Sequence, residues 1–366
     1  MSEDSDWREE FNMIMAEYRR REYRRKSPEN WVRDNPGYRK GTYFGVKCEE
    51  AEILTYADMK QKLGELQVSY EGVEVVPVGQ STGFRDKRNI LDILSLQILP
   101  TESTEGVIYF AGGLHHNEYA GSSAVHLIAE RFLQQYQREN PYVRDLRKNT
   151  RLIFIPQFDP DIYGNFEVAT SMSRPDFYKE GYSYLHEFVF LSTLNKDHAN
   201  EILSAQEPNC FSDWPDSDQL YHIVGPAQSF MKWMSEHGLS LGKPVLALDY
   251  HETPIDDPSE GYIKDYRYNM VWGGDSSKEL AKIALTQVAT TYAPDTLPEE
   301  IDATLSHGYL MNGCEFSETF DTYMASLGAA GLTLDGQAPP DMSLAEQVER
   351  HLLATDRILT RYFLGI

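Results

Sequence analysis

Cysteine is scarce in this chain of 366 residues, and its placement argues against a disulfide scaffold. Only three cysteines occur, and they lie far apart without forming a CxxC pair: Cys48, Cys210 and Cys314. An odd number of widely spaced cysteines is not typical of a small secreted domain held together by disulfides. A fold with its own hydrophobic core is therefore expected, and 41% apolar residues are enough to supply one.

Long apolar runs and an excess of positive charge are also missing. No stretch approaches the roughly 20 apolar residues that span a bilayer, and the N-terminal MSEDSDWREEF lacks the apolar segment of a secretory signal peptide. These absences predict a soluble, cytoplasmic protein with no membrane partner. Lysine and arginine number 34 against 57 acidic residues, which gives a net charge of −23. Phosphate backbones would be repelled, so no nucleic-acid partner is expected.

The order of the apolar segments indicates an α/β fold. Short β-rich segments alternate with amphipathic segments in which apolar residues recur every three to four positions. The predicted strands are VEVVPVG, ILDILSLQIL, GVIYFAGG, RLIFIP and PVLALDY, and the main predicted helices begin near Thr55, Gly121 and Ser343. This alternation predicts a single domain with a central twisted sheet, mixed but mostly parallel, flanked by helices. We place that domain over residues 51–366, after a charged and partly helical N-terminal extension over residues 1–50.

A pair of adjacent histidines follows the third predicted strand. GVIYF ends at Gly112 and Gly113, so His115, His116 and Glu118 follow the carboxyl end of a buried strand, where open α/β sheets place their sites. Residues three apart share a face of a turn or helix start, which brings His115 towards Glu118 and turns His116 away. Imidazole nitrogen and carboxylate oxygen are both zinc ligands, although an isolated HxxE pattern also arises without a metal.

A further candidate ligand stands at the end of another apolar strand. PVLALDYHE places His251 at the same edge of the sheet as His115. Asp249 lies two residues earlier, on the same side of the strand, and could orient the His251 ring. Two histidines and one glutamate leave the fourth position of a tetrahedral zinc site open, which is typical of a catalytic site. The alternative interpretation treats His251 as an ordinary core histidine.

These segments resemble the zinc carboxypeptidase family, the carboxypeptidase A-like metallopeptidases. GGLHHNE resembles the GGxHxxE segment of that family, and the resemblance covers roughly Leu54 to Ile366, including VVPVGQSTGFRD. It implies the zinc carboxypeptidase fold and one zinc ion per chain. It also implies His115, Glu118 and His251 as the metal ligands.

The same resemblance implies residues that bind the substrate. Arg174 in SMSRPD lies near the position of the family's oxyanion-stabilising arginine. Asn195 and Lys196 in STLNKD resemble the segment that binds the terminal carboxylate of a peptide. Lysine in place of arginine loses the bidentate fork but keeps a cation. Tyr309 in SHGYLMNG is the candidate for the tyrosine that family members bring in on a mobile loop.

Two acidic residues compete for the position of the general base. The family uses a glutamate at the end of a late strand, and FDTYMASLGAAGLTLDGQAPP places Asp335 there, with a side chain one methylene shorter. Glu318 in CEFSETF resembles another form of the same motif and keeps the glutamate. We favour Asp335 by position and retain Glu318 as the second candidate.

The resemblance implies metal-assisted hydrolysis of an amide bond. The first interpretation is a metallocarboxypeptidase that removes the C-terminal residue of a peptide, so that the partner is a peptide or small amide with a free carboxylate. The second is an amidohydrolase of the aspartoacylase and succinylglutamate desuccinylase type, which would act on small N-acyl amino acids. The third is a non-catalytic metal-binding module. It is motivated by departures from the family pattern at Lys196, at Asp335 and at Asp159 in IPQFDPDIYG, where the family usually has asparagine.

Overall fold

The structure is a computed structural model, and it describes the chain over most of its length. The described residues are 43–81, 89–115, 118–171, 225–254, 268–272, 275–292, 305–307, 309–311, 314–316, 320–338 and 342–364. Within these ranges the chain folds into one large mixed sheet with helices on both faces, and a separate two-stranded ribbon.

The strands follow the apolar segments of the sequence closely. Their bounds are β1 Val73–Gln80, β2 Asp92–Ile98, β3 Gly106–Gly112, β4 Thr150–Ile155, β5 Pro244–Pro254, β6 Tyr268–Trp272, β7 Leu305–His307, β8 Tyr309–Met311, β9 Cys314–Phe316 and β10 Ala330–Ala338. The main sheet has the order β1-β2-β4-β3-β5-β10-β6-β7, and β8 pairs with β9 in the ribbon.

The centre of the main sheet is parallel and its edges are mixed. Strands β4, β3, β5 and β10 run parallel to one another. Strand β2 is antiparallel to β4 and to β1, and β6 is antiparallel to β10 but parallel to β7. The prediction of a mixed sheet with a parallel core is confirmed.

Several helices begin directly after a residue whose side chain caps them. Their bounds are α1 Tyr56–Ser69, α2 Tyr119–Gln137, α3 Pro141–Asn149, α4 Pro160–Gly164, α5 Phe166–Ser171, α6 Gly225–Glu236, α7 Asp275–Tyr292, α8 Phe320–Ser326 and α9 Leu344–Leu364. The hydroxyl of Thr55 accepts from the Asp58 N–H and caps α1, at the place where the sequence predicted the start of a helix. Asn140 caps α3, with a proline in the first helical turn.

Strand β3 shows why the sheet is covered on both faces. Ile108 and Phe110 pack into one apolar layer, with α1, α2, α7 and α9. Val107 and Tyr109 point to the opposite layer, formed with α6 and α8. In a strand that is exposed on one face, polar and apolar residues alternate. This strand is buried on both faces, so every position is apolar, which accounts for the unbroken run of GVIYF.

The first described residues, 43–50, also belong to this core. The Tyr43 side chain is buried, and its backbone N–H donates to Asp356 on α9 over 2.7 Å. The guanidinium group of Arg131 on α2 donates to the backbone carbonyl of Lys47 over 2.7 Å. Residues 1–42 lie outside the described residues, so the predicted division after residue 50 stays a prediction, although residues 43–50 contact the domain directly.

Among the described residues, no helix is both long enough and apolar enough to cross a membrane.

Candidate metal centre

The topology brings two strand ends together at the middle of the sheet. Strands β4 and β5 flank β3 on opposite sides: the chain runs from β3 to β4 on one side, and the next connection crosses from β4 to β5 on the other side. Such a switch point opens a crevice beyond the carboxyl ends of the strands, where ligands of α/β proteins bind. His115 follows β3 by three residues, and His251 lies near the carboxyl end of β5.

Two glycines make the close approach of these elements possible. Gly113 has φ of 69°, and a Cβ there would lie 2.7 Å from the hydroxyl oxygen of Tyr163. A Cβ on Gly121, in the first turn of α2, would lie only 2.4 Å from the carbonyl oxygen of Tyr250 on β5. Because both positions lack a side chain, the start of α2 rests directly on β5, and Glu118 is carried to the side of His251.

The three predicted ligands converge at this point. Nδ1 of His115 lies 3.1 Å from Oε2 of Glu118, and Nδ1 of His251 lies 3.0 Å from the same oxygen. The two Nδ1 atoms are 3.2 Å apart. All three side chains are buried, and they form a group whose ligand atoms could hold one metal ion.

The size of this triangle fits zinc. Tetrahedral zinc with bonds of about 2.0–2.2 Å to nitrogen and oxygen keeps its ligand atoms roughly 3.3 Å apart. The observed separations of 3.0 to 3.2 Å are close to that edge length. The donor set of two imidazoles and one carboxylate is one that zinc accepts in catalytic sites.

The Asp249 carboxylate contacts the His251 ring on the nitrogen that faces away from Glu118. Oδ2 of Asp249 lies 2.9 Å from Nε2 of His251, and both side chains are buried. The Asp249 carboxylate favours the tautomer with hydrogen on Nε2, which leaves the lone pair of Nδ1 directed at Glu118 and His115. The two-residue spacing in LDYHE predicted this contact.

Sequence reasoning missed the role of Glu252. Alternation along β5 turns its side chain to the face opposite His251. There its Oε2 accepts from the backbone N–H of Ala120 over 2.9 Å. Burial raises the pKa of the Glu252 carboxyl well above its ordinary value, and the carboxylates of Glu118 and Asp335 add to the rise, against the Ala120 hydrogen bond. The only available signal was an acidic residue directly after a candidate ligand at a strand end.

Asp335 lies at the edge of this group. It stands on β10 directly opposite His251 of the parallel neighbour β5, so the two side chains share one face of the sheet. The Asp335 side chain is buried. Of the two candidates for the general base, Asp335 thus lies beside His251, one of the three predicted ligands, whereas Glu318 lies outside the described residues.

Asp159, the first aspartate of IPQFDPDIYG, caps a helix. Oδ1 of Asp159 accepts from the backbone N–H of Asp161 over 3.1 Å and caps α4. The backbone N–H of Asp159 donates to the carbonyl of Gly113, which ties this segment to the end of β3. An aspartate supplies the same acceptor as the asparagine of the family pattern, so this departure leaves the cap intact.

The remaining predicted residues, or their side chains, lie outside the described part of the chain. Outside the described residues lie Arg174, Asn195, Lys196, Glu318 and His116. Tyr309 lies on β8, but its side chain is outside the described part. Their assigned roles stay predictions.

Part of the chain is similar in sequence to known proteins. The sequence model of the family described as zinc carboxypeptidase matches residues 59–174, a segment that contains His115 and Glu118. Human carboxypeptidase D is 31% identical over 112 residues, which cover 29% of this chain and 8% of that protein. The chain therefore aligns with only a small fraction of the length of this relative.

Solved structures resemble most of the chain. A metallo-carboxypeptidase from Burkholderia cenocepacia matches with a TM-score of 0.50 at 12% identity, covering 85% of this chain and 70% of that one. Bovine thrombin-activatable fibrinolysis inhibitor, solved with a tick carboxypeptidase inhibitor, matches with a TM-score of 0.52 at 12% identity. That match covers 86% of this chain and 99% of the bovine chain. At such low identity the two structures show a shared fold.

Proposed function

We propose that the chain is a divergent member of the zinc carboxypeptidase family and that it removes the C-terminal residue of a peptide by zinc-assisted hydrolysis. The observation that carries the proposal is the buried triangle of His115, Glu118 and His251, with ligand atoms 3.0 to 3.2 Å apart. The position of Asp335 opposite His251 supports it, because hydrolysis also needs a group that moves protons.

Each residue near the triangle has a role in this proposal. His115, Glu118 and His251 would hold a zinc ion, and Asp249 keeps the His251 ring in the binding tautomer. A zinc ion held there would act as a Lewis acid towards the scissile carbonyl and the attacking water. Asp335 takes a proton from the attacking water and passes it to the leaving amine.

The substrate-binding half of the proposal rests on the family resemblance. Arg174 stabilises the negative charge that develops on the carbonyl oxygen. Asn195 and Lys196 bind the free carboxylate of the substrate, which selects the end of a peptide over its interior. Tyr309 closes over the bound substrate.

The other two interpretations differ in what they would bind and turn over. The relatives and structural neighbours are carboxypeptidases, which does not favour an amidohydrolase of small N-acyl amino acids. A non-catalytic metal-binding module would share the triangle but would not turn over either class of substrate.

The test combines metal content with hydrolysis. We expect about one zinc ion per chain, release of the C-terminal residue from peptides with a free carboxylate, and no reaction with the same peptides amidated at the C-terminus. His115→Ala and His251→Ala should lose zinc and activity together, while His116→Ala should keep both. Zinc binding with no turnover of peptides or N-acyl amino acids would support the module, and turnover of N-acyl amino acids alone would support the amidohydrolase.

A further inference from the structure

The start of α2 has an unusual capping arrangement. Glu118 occupies the N-cap position, but its side chain makes no capping hydrogen bond. Its Oε2 lies instead beside His115 and His251. The first turn of a helix has N–H groups without partners inside the helix, and a capping side chain normally satisfies one of them. The position of Glu118 in the metal centre thus removes the ordinary cap of α2.

Glu252 supplies the missing acceptor from a different element. The Ala120 N–H donates to Oε2 of Glu252 over 2.9 Å. In return, the backbone N–H of Glu252 donates to Oε2 of Glu118 over 3.3 Å. The two bonds run in opposite directions between the two segments. They resemble a capping box, in which side chains and backbone N–H groups of two positions pair crosswise, but three residues take part and a strand is joined to a helix.

The pair joins the two elements that carry the metal ligands. Glu252 follows His251 directly on β5, and Ala120 follows Glu118 by two residues. Two hydrogen bonds between these short segments fix the separation of His251 from Glu118. Each bond is buried, since the exposed fractions of Glu118 and Glu252 are 3% and 2%.

We propose that Glu252 is a positioning residue, which holds Glu118 against His251 so that the ligand triangle is already formed before zinc binds. This inference rests on the proposed zinc site. Glu252 is not itself assigned as a ligand, because the group of ligand atoms found among the described residues consists of His115, Glu118 and His251. Its effect on zinc comes through Glu118, as with other residues that orient a ligand.

The test is zinc affinity, measured on the full-length metal-free protein by competition with a coloured chelator. Glu252→Ala should bind zinc about 10 to 100-fold more weakly, the range found when residues that orient metal ligands are lost. Glu252→Gln keeps an oxygen that can accept from Ala120, so its affinity should stay close to that of the wild type. Glu252→Asp, shorter by one methylene, should lose affinity because its carboxylate no longer reaches the Ala120 N–H.

Asn140→Ala provides a matched control for the loss of a buried helix cap. Oδ1 of Asn140 accepts from the Tyr142 N–H over 2.9 Å at the start of α3, outside the metal-ligand group. This variant should lower the thermal unfolding temperature without changing zinc affinity. An equal loss of affinity in Asn140→Ala and Glu252→Ala would mean general destabilisation and would overturn the inference.

The remaining outcomes separate this inference from the proposed function. Zinc binding by the wild type with unchanged affinity in Glu252→Ala overturns the inference alone. Absence of zinc binding by the wild type overturns the proposed function and the inference with it. If Glu252→Ala does not fold, the comparison of Glu252→Gln with Glu252→Asp decides, and equal affinities in that pair overturn the inference.

Discussion

Oδ2 of Asp249 lies 2.9 Å from Nε2 of His251, two residues further along β5. The alternation of a strand places both side chains on one face, so this contact follows from local geometry. It fixes which ring nitrogen carries hydrogen, and the other nitrogen, Nδ1, then faces Glu118 at 3.0 Å. A single carboxylate thus sets both the orientation and the tautomer of one proposed metal ligand.

Removing that carboxylate should weaken the metal site. We expect Asp249→Ala to reduce zinc affinity about 10 to 100-fold, because the His251 ring loses its orienting acceptor. Asp249→Asn keeps an acceptor oxygen without the charge and should lose less. Chelator competition measures both. Asp356→Ala is a matched control, since Asp356 is a buried aspartate that accepts from the Tyr43 N–H. Unchanged affinity in Asp249→Ala would contradict the assigned role.

The assignment of Asp335 as the general base makes a different prediction. Asp335→Asn should lower kcat by about 10² to 10⁴-fold, because general acid–base catalysis contributes that much. Zinc content should stay at the wild-type level, since Asp335 is not one of the ligands. Glu318→Gln should have a much smaller effect on kcat. The reverse pattern, with kcat lost in Glu318→Gln and retained in Asp335→Asn, would transfer the role to Glu318.

The elements and the convergence of the three proposed ligands were open to prediction because their signals are local. Thr55 and Asp58 lie three residues apart and form the cap of α1. His115 and Glu118 are also three apart, and their convergence follows from the geometry of a turn. His251 follows an apolar run that ends at the same edge of a parallel sheet.

The parts that escaped prediction depend on distant partners. Glu252 accepts from a backbone N–H that lies 132 residues earlier, and a backbone donor leaves no mark in the sequence. Tyr43 follows a charged segment, yet its side chain is buried in the core and its backbone N–H donates to a residue 313 positions later. Neither contact repeats with the period of a helix or strand, so pattern reasoning had nothing to detect.

His126 on α2 should make stability depend on pH. Its side chain is buried, and burial lowers its pKa from 6.5 to about 4, with Lys62 adding to the decrease and Glu52 opposing it. As the pH falls below about 6.5, the unfolded chain takes up a proton on this ring before the folded protein does. Folding is therefore favoured fully above pH 6.5, and about 3 kcal/mol of the unfolding free energy should be lost between pH 6.5 and 4.

His126→Gln isolates this contribution, because glutamine is polar and does not titrate. Denaturant unfolding of the metal-free protein at several pH values should give a shallower decline of the unfolding free energy in the variant. The difference in the pH dependence of the unfolding free energy between wild type and variant is due to His126, since every other titrating group is common to both proteins. Identical slopes would show that the pKa of His126 is not lowered in the folded protein.

A methyl group added at Gly121 should disturb the proposed metal centre indirectly, by separating α2 from β5. A Cβ there would lie 2.4 Å from the carbonyl oxygen of Tyr250, closer than van der Waals contact allows. Gly121→Ala must therefore push the first turn of α2 away from β5. Glu118 precedes that turn and moves with it, while His251 stays on the strand. We expect a loss of zinc affinity together with a lower unfolding temperature.

Gly64→Ala is the matched control for this substitution. Gly64 lies within α1, and a Cβ there meets no atom within 4 Å. Alanine favours helix over glycine by about 1 kcal/mol, so this variant should be as stable as the wild type or more stable, with unchanged zinc affinity. If Gly121→Ala also kept its zinc affinity, α2 would be able to move without carrying Glu118 away. The contact between α2 and β5 would then be a matter of packing alone, and the ligand triangle would be held together by the hydrogen bonds of Glu252.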